Sequence, residues 1–240
     1  MQKDYYYKMN EHESNDNWRF KARKDIIIGL IKKQFNNNKD LALLDVGSGT
    51  GYFLEHLMQA GYKNISGFDS SKDSIILCKN KGIHIEFGSL PKVDLYKKYD
   101  CITCLDVIEH VDQDKESIKN IINVLKDDGT AIFTVPAYKF LWGHHDEINH
   151  HKKRYVRHEF KKLIESAGGK IKYISYFNFF LFPIALLFKY INKKNDTVDS
   201  KVSGFLNKIF YSIFRSEFWF IKQGFRFPFG VSIIACVGKK

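Results

Sequence analysis

Apolar residues in this chain fall into short continuous runs, and between the runs they recur every three or four positions. A short apolar run bounded by turn residues reads as a buried strand, and recurrence near 3.6 reads as an amphipathic helix. By that reading a helix covers Trp18–Phe35, followed by a strand at Leu41–Val46, a helix at Tyr52–Ala60, a strand at Asn64–Phe68 and a helix at Lys72–Lys81. Strands follow at Ile83–Phe87 and Asp100–Leu105, then a helix at Lys115–Leu125 and a strand at Thr130–Val135. A polar, histidine-rich loop leads to a helix at Arg157–Ala167, a sixth strand at Lys170–Tyr176 and a seventh at Val231–Val237. This alternation predicts an α/β protein with a Rossmann-like, mostly parallel seven-stranded sheet and helices on both faces. The 240 residues are read as one domain, 1–240.

The turn after the first strand carries the most chemistry. In L-A-L-L-D-V-G-S-G-T-G (Leu41–Gly51), an acid, Asp45, precedes glycines at alternate positions, Gly47, Gly49 and Gly51. Glycines there let the backbone turn tightly and approach a ligand where a Cβ would collide. No glycine follows at the spacing of the dinucleotide fingerprint, so a pyrophosphate is not the favoured ligand. Asp69, closing the second strand, stands where a ribose diol lies in nucleotide folds.

These residues resemble the class I S-adenosylmethionine-dependent methyltransferases. The resemblance extends through C-L-D-V-I-E-H-V (Cys104–Val111), similar to their fourth-strand motif, and L-K-D-D-G-T-A-I-F-T-V-P (Leu125–Pro136), similar to their helix, turn and fifth strand. It implies S-adenosylmethionine (SAM) as cofactor, with Asp45, Gly47, Ser48, Gly49 and Gly51 at its methionine end and Asp69 and Ser70 at the ribose. Leu105 and Asp106 follow from the fourth-strand motif. Where many relatives carry an acid for the adenine, this chain has Ser89, so the resemblance leaves that contact to main chain and Leu90. It also implies a seventh strand that runs antiparallel between the fifth and sixth.

The segment L-W-G-H-H-D-E-I-N-H-H-K-K-R-Y (Leu141–Tyr155) is similar to a signature of bacterial methyltransferases of the methyltransferase-11/23-like group, often linked to glycan or lipid modification. By that match His145, Asp146, His151, Arg154 and Tyr155 are candidates for acceptor handling, and His110 is a second candidate base. Zinc is not expected, because adjacent histidines point in diverging directions. E-S-N-D-N-W-R-F-K-A-R (Glu13–Arg23) resembles the opening helix of the same group, which implies that Trp18, Phe20 and Arg23 reach the cofactor's carboxylate or close the pocket.

Between the last two strands lies an insertion, residues 178–228, too long to be a bare loop. Tyr176–Ile191 is almost wholly apolar, yet too short and proline-broken to span a bilayer. Phe205–Phe229 alternates aromatics with Lys208, Arg215, Lys222 and Arg226, which suits either a cap over the substrate pocket or a membrane interface.

Composition narrows the partners. The net charge of +11 fits an anionic membrane surface or a phosphorylated substrate, and no nucleic-acid-binding module is present to use it otherwise. The four cysteines, including C-x-x-C at Cys101 and Cys104, read as core residues, because residues three apart on a strand face opposite sides. No apolar leader is visible in Met1–Phe20, so a cytoplasmic, possibly membrane-associated, protein is expected. The leading expectation is methyl transfer to an O or N atom of a small or lipid-linked (glycan, polyprenyl or lipid) acceptor. Alternatives are a soluble sugar, quinone-like or secondary-metabolite methyltransferase, or a membrane-surface protein that keeps SAM without turnover.

Overall fold

A computed structural model describes residues 17–191 and 203–240. The start of the opening-helix match, Glu13–Asp16, and residues 192–202 of the insertion lie outside the described residues. The chain runs α1 (Trp18–Gln34), β1 (Leu43–Val46), α2 (Tyr52–Gln59), β2 (Ile65–Asp69), α3 (Lys72–Asn80), β3 (Ile85–Phe87), β4 (Tyr99–Leu105), α4 (Asp114–Asn123) and β5 (Leu125–Pro136). It continues with α5 (His144–Ile148), α6 (Arg157–Ser166), β6 (Gly169–Phe177), α7 (Phe182–Ile191), α8 (Gly204–Lys222) and β7 (Ser232–Lys239).

Seven strands form one sheet in the order β3-β2-β1-β4-β5-β7-β6. The first five are parallel, and β7 inserts antiparallel between β5 and β6. The central strands are apolar on both faces because helices cover both: Leu43, Leu44, Ile102, Ile132 and Phe133 are each buried. Strand order reverses at β1/β4, which opens the crevice at the carboxyl edge where ligands bind in such sheets.

Several boundaries differ from the periodicity reading, among them β1, which starts at Leu43 instead of Leu41, and β3, which starts at Ile85 instead of Ile83. Helix α4 ends at Asn123, and β5 begins at Leu125 instead of Thr130, because Tyr99 already pairs with Leu125 across a bulge. The histidine-rich stretch is not all loop: it contains α5, with the Asp146 carboxylate accepting the Gly143 N–H at 2.9 Å. The sixth strand reaches Phe177, held by its antiparallel ladder to β7.

The insertion contributes α7 and α8, and α8 lies across α1. Gly29 makes that approach possible, since a Cβ there would sit 2.5 Å from the Phe218 ring. Tyr211 donates to Asp25 at 2.6 Å, and Asn207 accepts the Trp18 N–H at 2.9 Å. Glu217, fully buried on α8, accepts the N–H groups of Phe179 and Phe180 at 2.7 and 3.0 Å and so fixes the turn into α7. Burial pushes its carboxyl up to about 7, against those hydrogen bonds. Replacing Gly29 by leucine is expected to cost about 1–3 kcal/mol through overpacking. Urea denaturation reads it; an unchanged midpoint would mean that α8 docks elsewhere.

Candidate active site

A cavity of about 450 Å³ opens at the carboxyl edge of the sheet. One wall is the turn after β1. Gly47, Gly49 and Gly51 all have positive φ (77°, 55° and 76°), and a Cβ at Gly47 would overlap the Val107 side chain. The turn is locked from below: Ser48 Oγ donates to the Asp45 carbonyl at 2.7 Å, and the buried Asp45 carboxylate accepts from Thr103 Oγ1 at 2.5 Å.

Asp69 stands behind this turn. Its carboxylate accepts the N–H of Gly49 and of Ser71, each at 2.8 Å. Burial raises its pKa, and those amides pull the other way. A carboxylate bonded to two amides retains lone pairs for further donors.

The floor comes from the end of β4. Asp106 takes a left-handed backbone (φ 54°) and accepts from Thr134 Oγ1 at 2.9 Å and from Arg23. Burial opposes its ionisation, but Arg23 and Thr134 hold its pKa below the usual range. Arg23 lies over the Phe20 ring at 5.4 Å, and both residues line the cavity from α1.

Opposite lies the loop through α5. Asp146 is fully buried and accepts His151 Nδ1–H at 2.7 Å, with a two-pronged pair from Arg154 at 2.8 and 2.9 Å. Burial works against its charge, yet His151 and Arg154 hold the carboxylate far below its normal pKa. Charge-assisted pairing of this kind offsets the cost of burying an acid. The bond at Nδ1 leaves His151 Nε2 directed away from Asp146, towards His110 (ring centroids 4.7 Å) and Glu109 (3.9 Å). His145 faces the same space, bonded to Asn149 at 3.0 Å with Arg19 at 3.5 Å. Burial first, then His151, lowers the pKa of His110 to about 4.

Of the residues singled out from sequence, Asp45, Gly47, Ser48, Gly49, Leu105, Asp106, Arg23, His110, His145, His151 and Arg154 line this one cavity. Others stand outside it. Trp18 packs its ring edge-on against Phe210 and Phe214, 5.5 and 6.1 Å away, so it anchors α1 to α8 instead of reaching the cavity. Tyr155 is buried, its hydroxyl donating to Asp114 at 3.2 Å, and its backbone bridges Pro136 and Tyr138. Asp146 acts through His151 and Arg154. Gly51, Asp69 and Ser70 lie behind the glycine turn, and Ser89 with Leu90 sits on the loop after β3, away from the cavity lining.

Phe20, named with Arg23 from the opening-helix match, also lines the cavity, whereas sequence reasoning missed the other aromatic residues there, Tyr52, Phe53, Phe177 and Phe214, as well as Asn178 and Glu109. The signal for Glu109 was available, because a glutamate between Ile108 and His110 stands in an otherwise apolar stretch.

A family model described as a methyltransferase domain matches residues 18–173. The "Ubiquinone biosynthesis O-methyltransferase" of Rickettsia bellii (strain OSU 85-389) is 29% identical over 140 residues, 56% of this chain and 53% of that protein. The protein of the same name from Rickettsia prowazekii (strain Madrid E) is 32% identical over 129 residues, 49% of this chain and 51% of that one. The chain thus spans about half the length of the curated relatives it matches. In fold it is similar to an S-adenosylmethionine-dependent methyltransferase from Clostridium acetobutylicum ATCC 824 (TM-score 0.60, 17% identity, 91% of each chain).

Proposed function

Because this chain belongs to the methyltransferase-domain family and has the class I S-adenosylmethionine-dependent fold, we propose that it moves the methyl group of SAM to an oxygen of a quinone-like acceptor. One observation carries the reading: the glycine turn and His151, held by Asp146, line one cavity together with Phe20, Phe177 and Phe214. A flat ring suits such a wall, and the cavity volume falls in the range of small-molecule sites. The oxygen acceptor follows the printed names of the Rickettsia relatives.

In the reaction the S–CH3 bond breaks as the O–CH3 bond forms, S-adenosylhomocysteine leaves, and the acceptor's proton passes to a base. The sulfonium already activates the carbon, so the protein's work is alignment and proton removal. Asp45 and the amides of the glycine turn would hold the methionine end, with Asp69 at the ribose. Arg23 balances the charge of Asp106 and is the nearby cation for a carboxylate. The base would be an imidazole of the α5 loop. His151 has the better geometry, since Asp146 fixes its tautomer with Nε2 free of that bond. His145 stands beside it. Incubating the protein with methyl-labelled SAM and catechol-type or quinol acceptors tests the reading. Label in an O-methyl product supports it; SAM binding without transfer would favour the non-catalytic alternative.

A second feature supports a membrane-met, lipid-linked version of the same acceptor. Among the described residues no helix is long and apolar enough to cross a membrane. The outer face of α8, however, presents Phe205, Lys208, Trp219 and Lys222, all exposed, on one helical stripe, with Phe225 and Arg226 just beyond. Rings at headgroup depth with cations on phosphates is how interfacial helices bind. Reversing Lys208, Lys222 and Arg226 to glutamate avoids Arg215, which lies 3.5 Å from Asp25. If this face meets lipid, co-sedimentation with anionic vesicles should exceed that with neutral ones and be lost on reversal, at about 1 kcal/mol per cation. Equal binding to both vesicles would leave α8 as a pocket cap alone.

A further inference from the structure

Glu109 stands in the 3-10 turn after β4. It is fully buried, lines the cavity, and neither carboxyl oxygen has a hydrogen-bond partner. Burying a carboxyl without partners is costly, and the nearby arginines do not relieve it: Arg23 is held by Asp106 and Arg154 by Asp146. A positive group bound at this point would give those oxygens a partner.

The surroundings specify that group. One carboxyl oxygen of Glu109 and one ring nitrogen each from His110 and His151 lie within 4.8 Å of one another. Metal–nitrogen and metal–oxygen bonds of about 2.0–2.2 Å need these atoms to close by less than about 1 Å. His151 already shows the hallmark of a ligand imidazole: Nδ1–H donates to a carboxylate, Asp146, which fixes the ring and leaves Nε2 as an electron-pair donor. The His110 ring stands edge-on to that of His151, with the centroids 4.7 Å apart.

We propose that Glu109, His110 and His151 form a site for a divalent first-row transition ion, zinc-like in preference, with at least one coordination position open to the cavity. Two imidazoles and one carboxylate are a donor set suited to zinc, cobalt or iron in the divalent state. The ligands come from the 3-10 turn after β4 and from the end of the α5 loop, 41 positions apart in the chain. Hence adjacent histidines gave no warning of it; His144 and His150 are exposed and take no part.

Metal binding itself does not depend on the methyl-acceptor reading. An acceptor hydroxyl sharing the open position would lose its proton more readily. With the Nε2 lone pair of His151 then engaged, His145 is the imidazole left to receive that proton.

The test uses the whole chain without SAM or acceptor. Protein stripped with a chelator is titrated with Co2+, followed by visible absorption, and dialysed against Zn2+, followed by elemental analysis. One equivalent per chain is expected, with a cobalt spectrum of low coordination number containing nitrogen ligands. Glu109→Gln and His151→Ala should each weaken binding by at least about a hundredfold, and Asp146→Asn by about tenfold to a hundredfold. Thermal melting of each variant separates loss of the site from loss of the fold; Glu109→Gln removes an unpartnered acid and should melt no lower than the parent. Failure to bind either ion, or a stoichiometry that Glu109→Gln leaves untouched, overturns the proposal.

Discussion

Replacing His151 by alanine is expected to lower methyl transfer by about two to four orders of magnitude while SAM affinity stays near that of the parent protein. The reasoning starts from the carboxylate behind it. Asp146 is fully buried, and its two partners are His151 at 2.7 Å and the paired guanidinium of Arg154. The pair sets His151 with Nδ1 protonated, so Nε2 is available to a proton or a cation, and either use is lost in alanine. The glycine turn is held by other partners, Ser48 donating to the Asp45 carbonyl and Gly49 to the Asp69 carboxylate, so cofactor binding should be spared. His145→Ala distinguishes the roles. If His151 is the base, His145→Ala has the smaller effect; if His151 holds a cation, loss of His145 removes the proton acceptor and the two variants fall together. Single-turnover rates and calorimetric SAM titrations supply both readouts. A parallel loss of binding and turnover would instead assign His151 to folding.

Asp69→Ala should weaken SAM binding by roughly 1.5–3 kcal/mol, about tenfold to more than a hundredfold. Two effects contribute. The carboxylate would accept the ribose hydroxyls, a charge-assisted contact, and it already accepts the N–H groups of Gly49 and Ser71. Alanine therefore removes a ligand contact and also loosens the glycine turn, whose amide at Gly49 would be left without its acceptor. Calorimetric titration with SAM measures the total, and thermal melting without SAM isolates the second part. Unchanged affinity would sink the assignment of Asp69 to the ribose.

Much of the architecture was legible from local pattern. The Leu41–Gly51 segment announced a buried strand, a tight turn and a helix start, and its three glycines do adopt positive φ. The apolar runs marked all seven strands, and β7 sits antiparallel between β5 and β6 as the family resemblance implied. The cysteines of C-x-x-C are free and buried in β4. Pattern was weaker at ends: Lys126, Asp127 and Asp128 are exposed polar residues at the start of β5, and nothing in their chemistry predicts a strand.

What the sequence determined by itself is the order of elements and the turn that would meet a cofactor, because apolar periodicity and glycine spacing are local records of burial and backbone conformation. What only the tertiary structure decided is which distant side chains meet. Trp18 looked like a pocket residue and became an anchor for α8, since α8 packs on α1 from 189 positions away, as the Trp18–Asn207 hydrogen bond shows. Glu109 looked like part of a strand motif and became a buried acid facing His151. The left-handed backbones of Asp106 and Asn178, each a non-glycine residue on the cavity wall, turn the chain there, and no periodicity encodes such a turn. Convergence of this kind depends on how helices pack and loops cross the sheet edge, and that is settled by the whole fold at once.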